Sequence, residues 1–408
     1  METILNKDDY KECIQYIDEY WKELTCYYPK DKHINLGLPN KFIVPSKGIF
    51  KNDQFYWDTY FTIIGLVKSG KTKLARGMVD NLVYLFKKFN LVPMRNRYYN
   101  IGISQIPFLT SMALEVFEVT KNSEWLLETT QVAECELKKY WMNPRLTEQH
   151  LVYNNLSRYC DHFITHLAAE HESGWDMTSR FSNKCLDYLP VDLNTCLYKY
   201  EKDFSEIFSL INNKRKGNIY LKRAEKKQKT IIELMWNENK GFFFDYNYRQ
   251  EKQSNFFSLA GFYPLLAKIA TNEQAEKIKN NLPLFEYEYG LANTQSKALS
   301  KEIKQHDYPN GWPHQHWIVI KGLLNYGFEE DAKRIAKKWL DLNKMIFQKT
   351  GKFWEKYNVV KGKIGESHKE RYPTQSGFGW TNAVFVRLIN ELGTNGQHIK
   401  NDSNYTNK

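Results

Sequence analysis

Residues 71–89 read KTKLARGMVDNLVYLFKKF, and Leu74, Met78, Leu82 and the pair Leu85/Phe86 fall on one stripe of a 3.6-residue repeat. Residues 331–347 (DAKRIAKKWLDLNKMIF) repeat the pattern through Ala332, Ile335/Ala336, Trp339/Leu340 and Met345 or Ile346. Segments 106–120, 124–141, 191–210, 221–236 and 311–326 read the same way. Only GFFFDY at 241–246 and a few short runs suggest strands. Helix–loop–helix alternation therefore predicts an all-α chain of roughly a dozen helices, closed as a double ring or extended as a solenoid. No Ser/Gly/Pro-rich linker interrupts it, so residues 1–396 are expected to form one domain and the polar stretch 397–408 a tail.

Composition narrows the function. The 408 residues carry a net charge of +11, and 15% of them are aromatic. A mean hydropathy of −0.62, with no run near the ~18 apolar residues of a membrane helix, argues against a membrane partner. The densest basic run, KRKGNIYLKRAEKKQK at 214–229, reads as a solvated helix face, so no nucleic-acid partner is expected. Six cysteines (13, 26, 135, 160, 185 and 196) show no CxxC spacing, and the N-terminus has no apolar signal core. The expected compartment is the cytoplasm. Phosphate-loop, dinucleotide and GxSxG motifs are absent, which removes nucleotide-dependent and serine-hydrolase chemistry.

Five stretches between the helices concentrate Trp with acids or amides: FYWDTY (55–60), SGWD (173–176), DYPNGW (307–312), FWEKYN (353–358) and GFGWTN (377–382). Aromatic faces stack on the C–H faces of a pyranose while carboxylates and amides bind its hydroxyls, so this pattern points to a small sugar as the ligand.

At these residues the chain resembles the trehalase family of inverting glycosidases. It is more distantly similar to hydrolases of glucosylglycerate, mannosylglycerate and oligosaccharide glucose caps. The resemblance runs through FYWDTYFTIIGL (55–66), SQIPF (104–108), ESGWDMTSRF (172–181), PVDLNTCLYKYE (190–201), GFFFDYN (241–247), QHDYPNGW (305–312), EKYNV (355–359) and GFGWTNAV (377–384), in family order. It implies an (α/α)6 barrel with the site at one end, no cofactor and no metal. It implies that Asp176 is the general acid and Glu355 the general base. Inversion needs such a pair, one protonated and one ionised, about 6.5–9.5 Å apart so that water fits between. By motif match, Trp57 and Asp58 would hold the glycone and Ser104 and Gln105 its hydroxyls. Gly174 would admit substrate beside Trp175 and Asp176. Arg158, Gln305, Trp312, Arg371 and Trp380 complete the implied sugar contacts.

The chain departs from the family at SKGIFK (46–51), which lacks the usual arginine, at Ile103, where another is usual, and in having no Arg-Pro-Glu element between Arg158 and Asp176. In trehalases these arginines bind both glucose units. The leading expectation is hydrolysis of α,α-trehalose to two glucose, with another α-glucoside or α-mannoside as the alternative and a non-catalytic sugar-binding protein behind both. His162, His166 and Glu170 stand at i, i+4 and i+8, a spacing that would line one helix face, but the HExxH pattern of a zinc site is absent.

Overall fold

The computed structural model describes residues 3–145, 149–296, 304–367 and 372–394. Among them are thirteen α-helices: α1 (Lys11–Leu24), α2 (Tyr56–Lys68), α3 (Thr72–Phe89), α4 (Leu109–Thr120), α5 (Ser123–Glu136), α6 (His166–Glu172), α7 (Val191–Leu210), α8 (Lys214–Met235), α9 (Tyr263–Leu266), α10 (Asn272–Lys279), α11 (Pro313–Leu324), α12 (Glu329–Thr350) and α13 (Gly379–Leu392). Strands are two or three residues long and confined to loops; the stretch expected at 241–246 holds Phe242–Phe243 and the start of a second strand, Tyr246–Asn247.

Packing sorts the helices into two concentric rings. Helices α2, α4, α7, α9, α11 and α13 each touch the next, and α13 returns to α2, so the ring is closed and a solenoid is excluded. Helices α3, α5, α8 and α12 back α2, α4, α7 and α11 from outside, with α1 against α13 and α10 beside the Phe242–Phe243 strand. This is an (α/α)6 barrel, with α6 as an extra short helix in a loop.

Burial explains the sorting. An inner helix has neighbours on all sides, and α2 buries every residue from Tyr56 to Leu66 except Asp58. Helix α8 buries only Gly217, Tyr220, Ala224, Lys227, Ile231 and Met235, a single stripe, and the rest of the basic run faces water. Lys227 is the exception within that run. It is buried, bonds the Asn155 carbonyl at 2.9 Å, and desolvation pulls its ammonium down to about 8.

The inner ring closes tightly at the α2–α13 seam. A Cβ on Gly65 would stand 2.3 Å from Ala383 Cα, so only glycine admits this approach. The first and last described segments meet, where Lys7 N–H bonds the Thr394 carbonyl (3.1 Å) and Thr394 N–H bonds that of Leu5 (2.8 Å). Connections from inner to outer helices are two to five residues long: 69–71, 121–122, 211–213, 267–271 and 325–328. Those from outer to inner helices, such as 25–55, 90–108 and 351–378, are long and gather at the opposite end of the barrel. The expected tail at 397–408 lies outside the described residues. No described helix is long and apolar enough to cross a membrane, and the six cysteines are unpaired.

Candidate active site

The long connections enclose a cavity of about 810 Å3. Its chemistry-bearing side chains stand at or just before the N-termini of inner helices. Trp57 and Asp58 lie in the first turn of α2, Gln105 precedes α4, and Gly174 and Asp176 lie in the connection to α7. Gln305, His306 and Trp312 precede α11, Glu355 lies in the connection to α13, and Trp380 opens that helix. Unpaired N–H groups at helix starts give this end of the barrel a favourable field for carboxylates and sugar oxygens.

Aromatic rings form the floor. Trp380 meets Trp57 (centroids 6.0 Å apart) and, edge to face, Trp312 (5.7 Å). His306 lies flat on Trp312, 4.1 Å away with 6° between planes. Beneath them the buried His314 touches both Trp57 (4.7 Å) and Trp380 (4.4 Å), and desolvation holds its imidazole neutral, well below the usual histidine range. Such a surface offers ring faces to pyranose C–H groups.

Four carboxyl groups line the cavity: Asp58, Asp161, Asp176 and Glu355. Glu355 is held on both oxygens. The Lys356 ammonium sits 2.8 Å from Oε2, and the Tyr372 hydroxyl donates to Oε1 at 2.9 Å. Gln305 Nε2 donates to the Asp176 carbonyl, and the next residues are pinned by two further acids. Thr178 N–H bonds Glu170 (2.7 Å), and Thr178 Oγ1 and Ser179 N–H bond Asp307 (2.8 and 3.0 Å). Burial is the main reason the Glu170 carboxyl is raised to about 7, with the charges of Asp176 and Asp307 adding to it. Asp58 is raised to about 8, first by desolvation and then by the charge of Glu355, with Asp176 contributing, so it carries a proton at neutral pH. The Asp176–Met177 and Tyr308–Pro309 peptides are cis.

The structure thus brings together Trp57, Asp58, Gln105, Gly174, Asp176, Gln305, Trp312, Glu355 and Trp380. It does not bring three other expected contacts to the cavity wall. Ser104 is buried with its hydroxyl on the Val92 carbonyl (2.7 Å). Trp175 is buried behind the wall under the Arg180 guanidinium, 5.0 Å from its ring. Arg180 in turn forks onto Asp192 (2.7 and 2.8 Å) and Asp245 (2.7 Å), which ties this loop to the start of α7. Arg158 points into a separate hollow, donating to the Gln149 and Leu186 carbonyls and to Tyr248 OH. Arg371 lies outside the described residues.

The i, i+4, i+8 spacing of His162, His166 and Glu170 does not become one helix face, because Ile164 turns left-handed (φ 52°) and Thr165 caps a helix that begins only at His166. His162 lines the cavity mouth, whereas His166 accepts the Leu186 N–H and Glu170 is buried under Thr178. Sequence reasoning missed Arg95, Arg97 and Tyr372, all on the cavity wall. The MRNR run at 94–97 was the available signal, but a loop arginine has no periodicity to show where it points.

Comparison with known proteins agrees with this architecture. The model of the trehalase family matches residues 1–167 and 160–393. Among solved structures, neutral trehalase Nth1 from Saccharomyces cerevisiae superposes with a TM-score of 0.78 at 27% identity, covering 93% of this chain and 80% of that one. The GH63 mannosylglycerate hydrolase from Thermus thermophilus, in complex with glucose, gives 0.68 at 16% identity over 92% of this chain and 99% of that one. A rhamnosidase from Klebsiella oxytoca gives 0.58 at 13% identity over 94% and 64%. The last two share the barrel.

Proposed function

We propose, from the premise that this chain belongs to the trehalase family and hydrolyses α-glycosides, that its substrate is α,α-trehalose and that cleavage proceeds with inversion. One observation carries the reading. Asp176 and Glu355, delivered by connections far apart in sequence, line the same aromatic-floored cavity. The similarity to a neutral trehalase over most of both chains supports the choice of sugar.

In this mechanism Trp57, Trp312 and Trp380 seat the glycone, and protonated Asp58 and Gln105 bond its hydroxyls. Asp176 gives its proton to the glycosidic oxygen as the anomeric C–O bond breaks. Glu355 takes a proton from water, whose oxygen bonds to the anomeric carbon from the opposite face. The products are one glucose released as the β-anomer and a second that keeps its α-configuration. Lys356 and Tyr372 hold the Glu355 carboxylate in place for this task. Gly174 leaves the cavity wall without a side chain beside the acid. We treat residues 1–396 as one catalytic domain. We place the protein in the cytoplasm, where six unpaired thiols persist.

The test is proton NMR of the purified protein with trehalose, glucosylglycerate, mannosylglycerate, kojibiose, nigerose and maltose, read in the first minutes before mutarotation. Equal initial β- and α-glucose from trehalose is the expected result. Only α-glucose would refute inversion. No cleavage of trehalose, with turnover of another glycoside, would reassign the substrate.

A further inference from the structure

Among the described residues lining the cavity, the only lysine or arginine side chains are those of Arg95 and Arg97. They are not equivalent. Arg97 is committed to the wall: its Nε bonds Asp53 Oδ1 (2.7 Å), its Nη2 bonds Asp53 Oδ2 (2.5 Å) and the Ile49 carbonyl (3.2 Å), and its Nη1 bonds Tyr99 OH (2.6 Å). Asp53, fully buried, accepts from Asn35 as well (2.9 Å), so its oxygens are largely occupied. Arg95 is left with poorer terms. Its Nε bonds Asn100 Oδ1 (2.8 Å) and its Nη2 bonds Tyr99 OH (3.1 Å), but its Nη1 reaches Asp53 only at 3.4 Å. A guanidinium has five N–H donors, and here one on each terminal nitrogen has no acceptor among the described residues. The two arginines share one carboxylate, which leaves a positive charge in excess.

The backbone aims this charge at the reaction centre. Phe55 and Arg95 are bridged as antiparallel partners, and Tyr56 N–H bonds the Met94 carbonyl (2.9 Å). Arg95 is thereby set beside the start of α2, where Trp57 and Asp58 stand, with its guanidinium 4.9 Å from the Phe55 ring centroid. Its charge is felt by Asp58 and, reciprocally, it feels Asp176. A guanidinium held rigid on three sides and undersatisfied toward a cavity is suited to grip two neighbouring oxygens.

We infer that Arg95 is a substrate-binding residue of this glycosidase, donating its two remaining N–H groups to adjacent hydroxyls of the bound sugar. This rests on the α-glycoside reading of the same cavity. Arg97 and Asp53 are positioning residues that hold Arg95 in place.

The experiment compares wild type, Arg95→Ala and Arg95→Lys on trehalose, with steady-state kinetics, thermal melts and calorimetric trehalose binding. Both variants are expected to lose roughly ten- to a hundredfold in kcat/KM, with Arg95→Lys melting within a few degrees of wild type. Guanidinium chloride at low millimolar concentration is expected to restore part of the Arg95→Ala activity without changing its melting temperature. Activity within threefold of wild type in both variants would overturn the inference. So would a loss in Arg95→Ala that tracks destabilisation, with Arg95→Lys fully active and no response to guanidinium. If the wild type cleaves no glycoside, the catalytic reading fails by itself. Arg95 is then judged by binding alone, with weaker trehalose binding by Arg95→Ala upholding its role and equal binding ending it.

Discussion

Gly174, in the connection to α7, and Trp57, in the first turn of α2, meet so closely that a Cβ on Gly174 would stand 2.5 Å from the indole Cζ2. Gly174 also holds φ at 71°, a left-handed conformation that costs other residues about 1 kcal/mol or more. Gly174→Ala therefore pushes the Trp57 platform out of place, and kcat/KM on the preferred glycoside is expected to drop at least roughly tenfold. Gly70 has the same sign of φ (70°) with nothing within 4 Å of its Cβ position. Gly70→Ala carries the backbone cost but leaves activity intact, so parallel kinetics separate contact from strain.

The assigned roles of Asp176 and Glu355 predict that Asp176→Asn and Glu355→Gln each lower kcat by about 10²–10⁴ or more while trehalose still binds. Single-turnover kinetics and calorimetry check the two halves separately. Unchanged kcat in either variant would remove that residue from the mechanism.

Lys356 and Glu355 are a buried ion pair, each essentially without solvent contact. Lys356→Met leaves the Glu355 charge uncompensated, and losses of this kind run to about 3–5 kcal/mol. Urea denaturation should show that destabilisation together with a fall in kcat. A stable, fully active Lys356→Met would mean that Tyr372 alone suffices to hold Glu355.

Asp58 keeps its proton in the native state up to about pH 8, raised by desolvation and by Glu355, whereas in the unfolded chain it ionises near pH 4. Between those values the native state binds more protons, so rising pH erodes stability through this group. Asp58→Asn removes that dependence. Its melting temperature relative to wild type is expected to rise from pH 5 to pH 8, even as the lost hydroxyl contact lowers activity. An offset independent of pH would show that Asp58 titrates normally.

Helices were legible in the sequence as apolar periodicity, but their closure into two rings was not. Periodicity left ring and solenoid open, and only the family resemblance implied the barrel. Burial on all sides and burial on one side do leave different traces. YFTIIGL in α2 is apolar almost without interruption, and α8 is apolar only every third or fourth residue. Helix α7 matches its sequence-derived span of 191–210, while α8 begins seven residues before the periodic stretch at 221, where the basic run hides its few buried positions. The aromatic and carboxylate residues of the cavity were legible because they recur in loops as Trp-acid and Trp-amide pairs. The direction of a loop side chain was not. Arg158 and Arg95 look alike in sequence, but the first spends its donors on the carbonyls of Gln149 and Leu186, whereas a bridge to Phe55 turns the second into the cavity. Ser104 and Gln105 are neighbours on opposite sides of the same wall.

The α2–α13 seam has a consequence for when this protein becomes an enzyme. Trp57 belongs to the first inner helix and Trp380 to the last, so the two halves of the sugar platform are made at opposite ends of synthesis. A ribosome that has released everything up to residue 378 has produced both Asp176 and Glu355 but only part of the floor beneath them. Pairings this distant in sequence pay their loop-closure entropy late and slow the final folding step. Activity is thus withheld until the last inner helix docks against the first, and a nascent or C-terminally clipped chain carries the chemistry without the surface on which to use it.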